Sequence, residues 1–319
     1  MKKKCIGIDV GGTTAKIGLL SVQGQILDKW EIPTRKEEGG KYILPDIARS
    51  VLDYLKTHQI SVQELAGAGI GVPGPVMPDG NVEVCVNLGW TDVNPEKELS
   101  RLLGGVYVKA GNDANVAALG EMWQGGGKGH KSLMLFTLGT GVGGGVVLDE
   151  KIVSGFRGMG GELGHIVVNF DEPLQCNCHN HGCLEQYASA TGIVKEAHRS
   201  VEASEEPSVL RKKPDFSCKD VLDAAKAGDR LALETVHRCM RYLGLAMHYV
   251  SHVTDPEIFV IGGGVSKAGQ FLLDIIREYY EGFTVMGRRK ADIGLATLGN
   301  DAGMYGAARL ILDKELENI

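Results

Sequence analysis

Apolar and polar positions along the chain follow two periods, and the places where the period changes mark the elements. Apolar residues crowd Cys5 to Val10 and return from Ala15 to Leu20, on either side of Gly11-Gly12-Thr13-Thr14, which predicts a strand, a glycine turn and a second strand. Gln23-Gly24-Gln25 makes a turn into a third strand near Ile26 to Ile32. Ile43, Ile47, Val51, Leu52 and Leu55 then share one helical face, with Pro45 tolerated in the first turn, so a helix is predicted over 42–58. Ala66 to Val72 returns to strand and stops at Pro73-Gly74-Pro75. Val106 to Ala110 predicts a further strand, and Asn112-Asp113 stand where an N-cap opens a helix over 114–123.

After a glycine-rich boundary at Gly125 to Gly129 the opening plan recurs. Leu133 to Leu138, Gly139 to Gly145 and Val146 to Leu148 again read as strand, glycine turn and strand. The repeat is one of pattern more than of letters, and it predicts two related halves whose glycine hairpins clamp one ligand. Helices near 184–200, 229–252, 267–281 and 302–316, with strands at Ile258 to Ile261 and Ile293 to Thr297, complete an alternation that predicts the α/β class. The stretch 203–217 is read as a polar surface excursion. Leu231, Val236, Met240, Leu243 and Met247 form a stripe expected to face the core rather than a partner.

Composition narrows the classes. The 319 residues suit about two domains of ~150 residues each. With 43% hydrophobic and 23% charged residues the chain is globular and not disordered. A net charge of −6 argues against binding nucleic acid through the overall field. No apolar run reaches the ~18 residues of a membrane helix. Met1 to Lys4 is basic, but the apolar stretch after it is too short and too interrupted by Asp9 for a signal peptide. Seven cysteines, an odd number in a chain long enough to bury a core, fit a reducing cytoplasm.

The glycine turns carry the first chemistry. Gly11, Gly12, Thr13 and Thr14 can aim backbone N–H and hydroxyl groups at phosphate oxygens, whereas a plain hairpin would need glycine only for positive φ. Asp9 is then placed to hold Mg²⁺, and Lys16, on the next strand, to approach the same phosphates. Gly139-Thr140-Gly141-Val-Gly-Gly144 matches G-x-G-x-x-G, but a strand follows where a dinucleotide fold needs a helix, and this disfavours a dehydrogenase. No G-x-x-x-x-G-K-[ST] occurs, which disfavours a P-loop enzyme.

Cys176-Asn-Cys178-His-Asn-His-Gly-Cys183, with His165 eleven residues earlier, supplies three thiolates and an imidazole, enough to close a tetrahedral structural Zn²⁺ site. His179 and His181 compete for the fourth position. Closing the site draws Glu162 and Glu185 into one neighbourhood, where convergent carboxylates suit a hydroxyl-rich ligand.

With these residues in view, the chain resembles the bacterial glucokinases of the ROK family of repressors, open reading frames and kinases. The resemblance rests on Asp9-Val-Gly-Gly-Thr-Thr-Ala-Lys16, Gly71-Val-Pro-Gly-Pro75, Asn87-Leu-Gly-Trp90, Asn112-Asp-Ala-Asn115, Gly139 to Gly145, Gly161-Glu-Leu-Gly-His165, the cysteine cluster with Glu185, and Leu298-Gly-Asn-Asp-Ala-Gly303, and it spans essentially the whole chain. It implies a two-domain actin-like (ribonuclease H-like) sugar-kinase fold with a cleft between the lobes. The first lobe is expected over 1–120, completed by a helix 302–319, and the second, with the zinc site, over 121–301.

The same resemblance implies ATP-dependent phosphorylation of glucose at its 6-hydroxyl, with Asp113 as the base. Asn87, Asn112, Asp113, Glu162, His165 and Glu185 would contact the sugar. Asp9, Gly11, Gly12, Thr13, Thr14, Lys16, Gly139, Thr140, Gly141, Gly262, Gly263 and Gly264 would contact the nucleotide and its Mg²⁺. His165, Cys176, Cys178 and Cys183 would bind zinc, so His165 serves both metal and sugar. Relatives commonly place glycine where this chain has His179. A homodimer is expected, with no nucleic-acid or membrane partner. Rival readings are a kinase for N-acetylmannosamine, fructose or allose, a non-catalytic sugar-binding protein, and a sugar-responsive repressor. The last needs a helix-turn-helix ahead of the first hairpin, where only four residues precede Cys5.

Overall fold

The structure, a computed structural model, describes residues 3–287 and 289–312. The basic start at Met1 and Lys2, and the part of the C-terminal helix expected beyond residue 312, lie outside the described residues.

In chain order the elements are β1 (Lys4–Val10), β2 (Thr14–Ser21), β3 (Ile26–Pro33), the single turn α1 (Glu37–Gly40), α2 (Ile43–Thr57), β4 (Leu65–Val72), the hairpin β5 (Val82–Cys85) and β6 (Trp90–Val93), α3 (Pro95–Leu102), β7 (Val108–Asn112) and α4 (Asp113–Gln124). There follow β8 (Leu133–Leu138), β9 (Val142–Leu148), β10 (Lys151–Ile152), α5 (Glu185–Ala188), α6 (Ala190–Ala203), α7 (Cys218–Lys226), α8 (Arg230–Thr254), β11 (Ile258–Gly262), α9 (Gln270–Phe283), β12 (Asp292–Leu295) and α10 (Ala302–Leu310). The chain divides into two compact units. One holds the residues up to Lys131, then Gly145–Gly161, and the chain from Leu298 onward; the other holds Ser132–Gly144 and Glu162–Thr297.

Two five-stranded sheets carry the same plan: β3-β2-β1-β4-β7 and β10-β9-β8-β11-β12. In the first, β1 pairs antiparallel with β2 and parallel with β4, which pairs parallel with β7. In the second, β11 lies parallel between β8 and β12. Hairpins supply the antiparallel edge of the first sheet, and helical crossovers the parallel one.

In the first unit, β1 is buried on both faces. Ile6 and Ile8 pack with Ile43, Ile47, Val51 and Leu55 of α2, while Cys5 and Leu20 pack with Met304, Ala308 and Ile311. Helix α10 lies unusually close to the sheet. A Cβ at Gly69 would fall 1.6 Å from the Ala307 oxygen, and one at Gly7 2.1 Å from that of Met304. In the second unit the stripe Leu231, Val236, Met240, Leu243 and Met247 on α8 is buried within the chain, and Phe136 and Phe259 meet at 6.2 Å between centroids. Among the described residues no helix is long and apolar enough to cross a membrane.

Several local expectations are corrected. The second glycine turn is confined to residues 139–141. Gly143 to Gly145 belong to β9, and Gly145 is small because a Cβ there would lie 2.6 Å from that of Ala118 on α4. The single helix expected over 184–200 breaks at Ser189, which is extended and caps α6 by accepting the Gly192 N–H at 2.9 Å. The β5–β6 hairpin, α3 and α7 were not predicted. Two of these had local signals in the sequence: Asn94 caps α3 with Pro95 next, and Ser217 and Asp220 form a capping box on α7. The excursion 203–217 contains a turn of 3₁₀ helix at Val209–Lys212.

Candidate active site

In the first unit the parallel strands β1, β4 and β7 end side by side, as the register pairs Asp9 with Gly71 and Val72 with Asn112 demonstrate. Ligands of open α/β sheets gather at such strand ends. The β1–β2 turn is pinned from Thr34, whose N–H donates to the Thr13 oxygen at 2.8 Å and whose hydroxyl donates to the Gly11 oxygen at 2.8 Å. Neither Gly11 nor Gly12 takes a positive φ. A Cβ at Gly12 would meet only the Asn87 backbone oxygen, at 3.9 Å, and the Asn87 side chain is exposed beside it. Neither backbone strain nor crowding by the protein therefore requires glycine at position 12, and the backbone there is open to a ligand.

Asp9 stands opposite Lys16 across the β1–β2 ladder. Its carboxylate covers Gly303 in the first turn of α10, where a Cβ would come within 2.6 Å of Asp9 Cγ. Burial first, and then the charge of Asp113, push the Asp9 carboxyl up to about 6, while Lys16 pulls it the other way. Lys16 also donates to the Asn300 oxygen at 3.2 Å. Two carboxylates and one lysine, all partly buried, leave a deficit of positive charge, which is the donor chemistry a Mg²⁺ ion fits.

At the end of β7, capping falls to Asn112 and not to Asp113. The Asn112 side-chain oxygen accepts N–H groups from Ala114 at 3.0 Å and Asn115 at 3.1 Å, and its amide donates to the Gly74 oxygen at 3.2 Å. Asp113 is thus the first helical residue, and its Oδ1 accepts from the Ala114 N–H at 2.8 Å. The Asn112 side-chain oxygen is thereby committed to orienting the helix that carries Asp113.

The second unit gathers the other group. The donor atoms of His165, Cys176, Cys178 and Cys183 all lie within 4.8 Å of one another. Cys178 Sγ is 3.5 Å from Cys183 Sγ, and Cys176 Sγ is 3.9 Å from His165 Nδ1. A tetrahedral Zn²⁺ with ~2.3 Å bonds to sulfur needs ligand separations of about 3.8 Å, so the four donors fit that ion. Burial pushes the Cys176 and Cys183 thiols up, so a cation is needed to hold all three as thiolates. The other ring nitrogen of His165, Nε2, faces Glu162 Oε2 at 4.0 Å, which lets one imidazole address the thiols and an exposed carboxylate together. His181 is turned elsewhere, its Nδ1 3.2 Å from the Glu172 carbonyl oxygen. His179 takes φ +67°, a conformation in which glycine is at ease, and this is the position where the resemblance leads one to expect glycine.

Glu185 opens α5 and links the cluster to the second glycine turn. Its Oε1 accepts from the Cys176 thiol at 3.2 Å, and its Oε2 accepts from the Val142 N–H at 3.4 Å. A Cβ on Gly141 would fall 2.6 Å from that Oε2. The turn is tied to α6 as well, since Ala190 N–H donates to the Gly139 oxygen at 2.8 Å and the Thr191 hydroxyl to the Thr140 oxygen at 2.7 Å. A cavity of about 390 Å³ opens here, lined in part by Thr140, Gly141, Cys176, Glu185, Thr191 and Lys195. The pairing of Gly262 with Thr137 brings Gly262, Gly263 and Gly264 beside the same turn. Gly263, with φ +83°, packs on the Leu138 backbone, whereas nothing lies within 4 Å of a Cβ at Gly264.

Thr191 was missed by sequence reasoning, and Gly303 was quoted in a motif without a role, because what singles each out is a neighbour far away in the chain.

The chain belongs to the ROK family, whose model matches residues 5–314. It is 44% identical over 317 residues to a glucokinase of Halalkalibacterium halodurans, covering 97% of this chain and 95% of that one. It is 37% identical over 320 residues to a glucokinase of Thermotoga maritima, covering 98% of each. Among solved structures it is similar to a ROK family glucokinase from Streptomyces griseus in complex with glucose and AMPPNP, with 32% identity and a TM-score of 0.72 over 96% of this chain and 98% of that one. It is also similar to a ROK hexokinase from Thermus thermophilus, with 29% identity and a TM-score of 0.81 over 99% and 100% of the two chains. The twofold strand plan is that of the actin-like sugar-kinase fold.

Proposed function

We propose that the chain is an ATP-dependent glucokinase that moves the γ-phosphoryl group of ATP to the 6-hydroxyl of glucose. The observation that carries the reading to a mechanism is the division of labour at the end of β7: Asn112 caps the helix, and Asp113 follows it with its carboxylate near Asp9. Glucokinases similar over nearly their whole length support the substrate.

Asp113 accepts a hydrogen bond from the glucose O6–H and takes its proton as O6 bonds to the γ-phosphorus and the bond from that phosphorus to the bridging oxygen breaks, releasing ADP. The sugar is oriented by Asn87, Asn112, Glu162, His165 and Glu185. The amides of the 11–14 and 139–141 turns, with Lys16 and Gly262 to Gly264, receive the nucleotide. Asp9 would hold Mg²⁺, which when bound would supply neutralising charge at the phosphates. His165, Cys176, Cys178 and Cys183 would hold Zn²⁺, and the bound ion would order the loop that carries the sugar-facing groups. All seven cysteines are free, which suits a protein working in the reducing cytoplasm. A homodimer completes the proposal, and light scattering behind size exclusion reads it.

The test is a coupled assay with ATP, Mg²⁺ and a panel of hexoses, run on the wild type and on Asp113→Asn. The variant is expected to lose about 10²–10⁴-fold in kcat while glucose affinity by calorimetry changes little. Near-normal turnover would refute the base, and a preference for another hexose would refute the substrate.

A further inference from the structure

The loop from residue 166 to 184 is poor in buried apolar side chains, and Phe170 and Leu174 on it are exposed. Its order rests on polar contacts, and a group of those that tie it to the helices meets at Glu172, whose side chain is fully buried. Glu172 Oε1 accepts from Arg199 Nη2 at 2.7 Å and from the Leu174 N–H at 3.1 Å. Its Oε2 accepts from Arg199 Nη1 at 2.9 Å and from the Tyr187 hydroxyl at 2.5 Å, with Lys195 Nζ at 3.6 Å. The partners come from the zinc loop (Leu174), α5 (Tyr187) and successive turns of α6 (Lys195 and Arg199). A buried carboxylate with a bidentate arginine is expensive to desolvate and strongly directional, so it is a device for fixing geometry more than for adding stability.

We propose that Glu172 is a positioning residue, which clamps the 166–184 loop to α5 and α6 so that Cys176, Cys183 and Glu185 keep the separations that bind metal and sugar. The Arg199 and Tyr187 contacts hold its carboxyl down at about 2, so the clamp stays ionised at any pH the protein meets. The sugar part of this proposal rests on the glucokinase reading; the metal part does not.

The experiment uses the full zinc-loaded chain with Glu172→Gln and Arg199→Lys. It measures zinc release to a chromogenic chelator, amide hydrogen exchange over 174–183, and steady-state kinetics. Glu172→Gln is expected to release zinc at least tenfold faster, expose the loop amides, and raise KM for glucose about tenfold with kcat and KM for ATP within twofold. Arg199→Lys keeps the charge but loses the fork, and it is expected to fall between wild type and Glu172→Gln. If Glu172→Gln folds poorly, Arg199→Lys carries the same comparison alone. Unchanged zinc release and loop exchange overturn the clamp, as does a fall in kcat that tracks the folded fraction at unchanged KM. A wild type that phosphorylates no hexose refutes the glucokinase reading and leaves zinc release and exchange to decide the clamp.

Discussion

The two glycine turns occupy the same place in two sheets of the same strand order, each three residues long, yet they are glycine-rich for different reasons. Gly12 faces open space, with one backbone oxygen at 3.9 Å from where its Cβ would be. Gly141 faces the Glu185 carboxylate, which a Cβ would meet at 2.6 Å. In the first turn glycine makes room for something outside the chain, and in the second it makes room for a side chain that also touches the zinc cluster. A duplicated architecture thus repeats its backbone plan without repeating the physical demand on each residue.

Among changes at and beside the two turns, the largest expected effect comes from Asp9, just ahead of the open turn. Asp9→Asn should lower kcat by about 10²-fold or more, since it removes charge aimed at the phosphate and metal region. The same change should raise ligand-free stability by about 2–3 kcal/mol at neutral pH, because burial beside Asp113 makes the ionised form costly. The sign follows from the raised pKa: the wild type pays the full cost above about pH 6, and the cost fades as the pH falls toward the ordinary value of 3.8. Thermal melts of both proteins across that window, showing a gap that does not shrink, would contradict the burial argument. Mg²⁺ binding to the nucleotide-free protein should weaken as the pH drops through about 6, where a proton competes with the ion for Asp9.

Next is Gly141→Ala, which must displace Glu185. It should cost about 10²-fold in kcat/KM for glucose, the scale of a 1 Å misplacement. Removing zinc, or changing Cys178 to Ser, acts on the same neighbourhood less directly and should raise KM for glucose about tenfold before KM for ATP moves. Equal loss of both would break the claim that the cluster serves the sugar side. The smallest effect is that of Gly12→Ala, with an unchanged melting temperature and KM for ATP raised about 3–10-fold, the worth of about one backbone hydrogen bond. A destabilised Gly12→Ala would erase the distinction between the turns.

How much of this was legible depended on how local the cause was. Strands such as Leu133–Leu138, buried at nearly every position, and the one-sided helix Ile43–Thr57 declare themselves by period. The spacing of Cys176, Cys178 and Cys183 announces a metal site, because ligands at most seven residues apart are already neighbours in the chain. Which histidine joins them was open until the fold turned His165 toward the thiols and His181 toward Glu172. The same holds for the N-cap, which falls to Asn112 and not to Asp113 because Asn112 is the residue with extended backbone, held in place by the nearby Gly74 oxygen.

The order of apolar residues and the chemistry of its motifs determined the α/β class, the twofold plan and the residue types available for phosphate, sugar and metal, since periodicity and short spacings act within a few residues. Only the tertiary structure decided that Gly145–Gly161 packs with the first unit, that Gly303 lies under Asp9 and that Glu172 meets Arg199. Those are contacts across 27 to 294 residues of chain, and they depend on which surfaces exclude water together, a property that no local stretch of sequence carries.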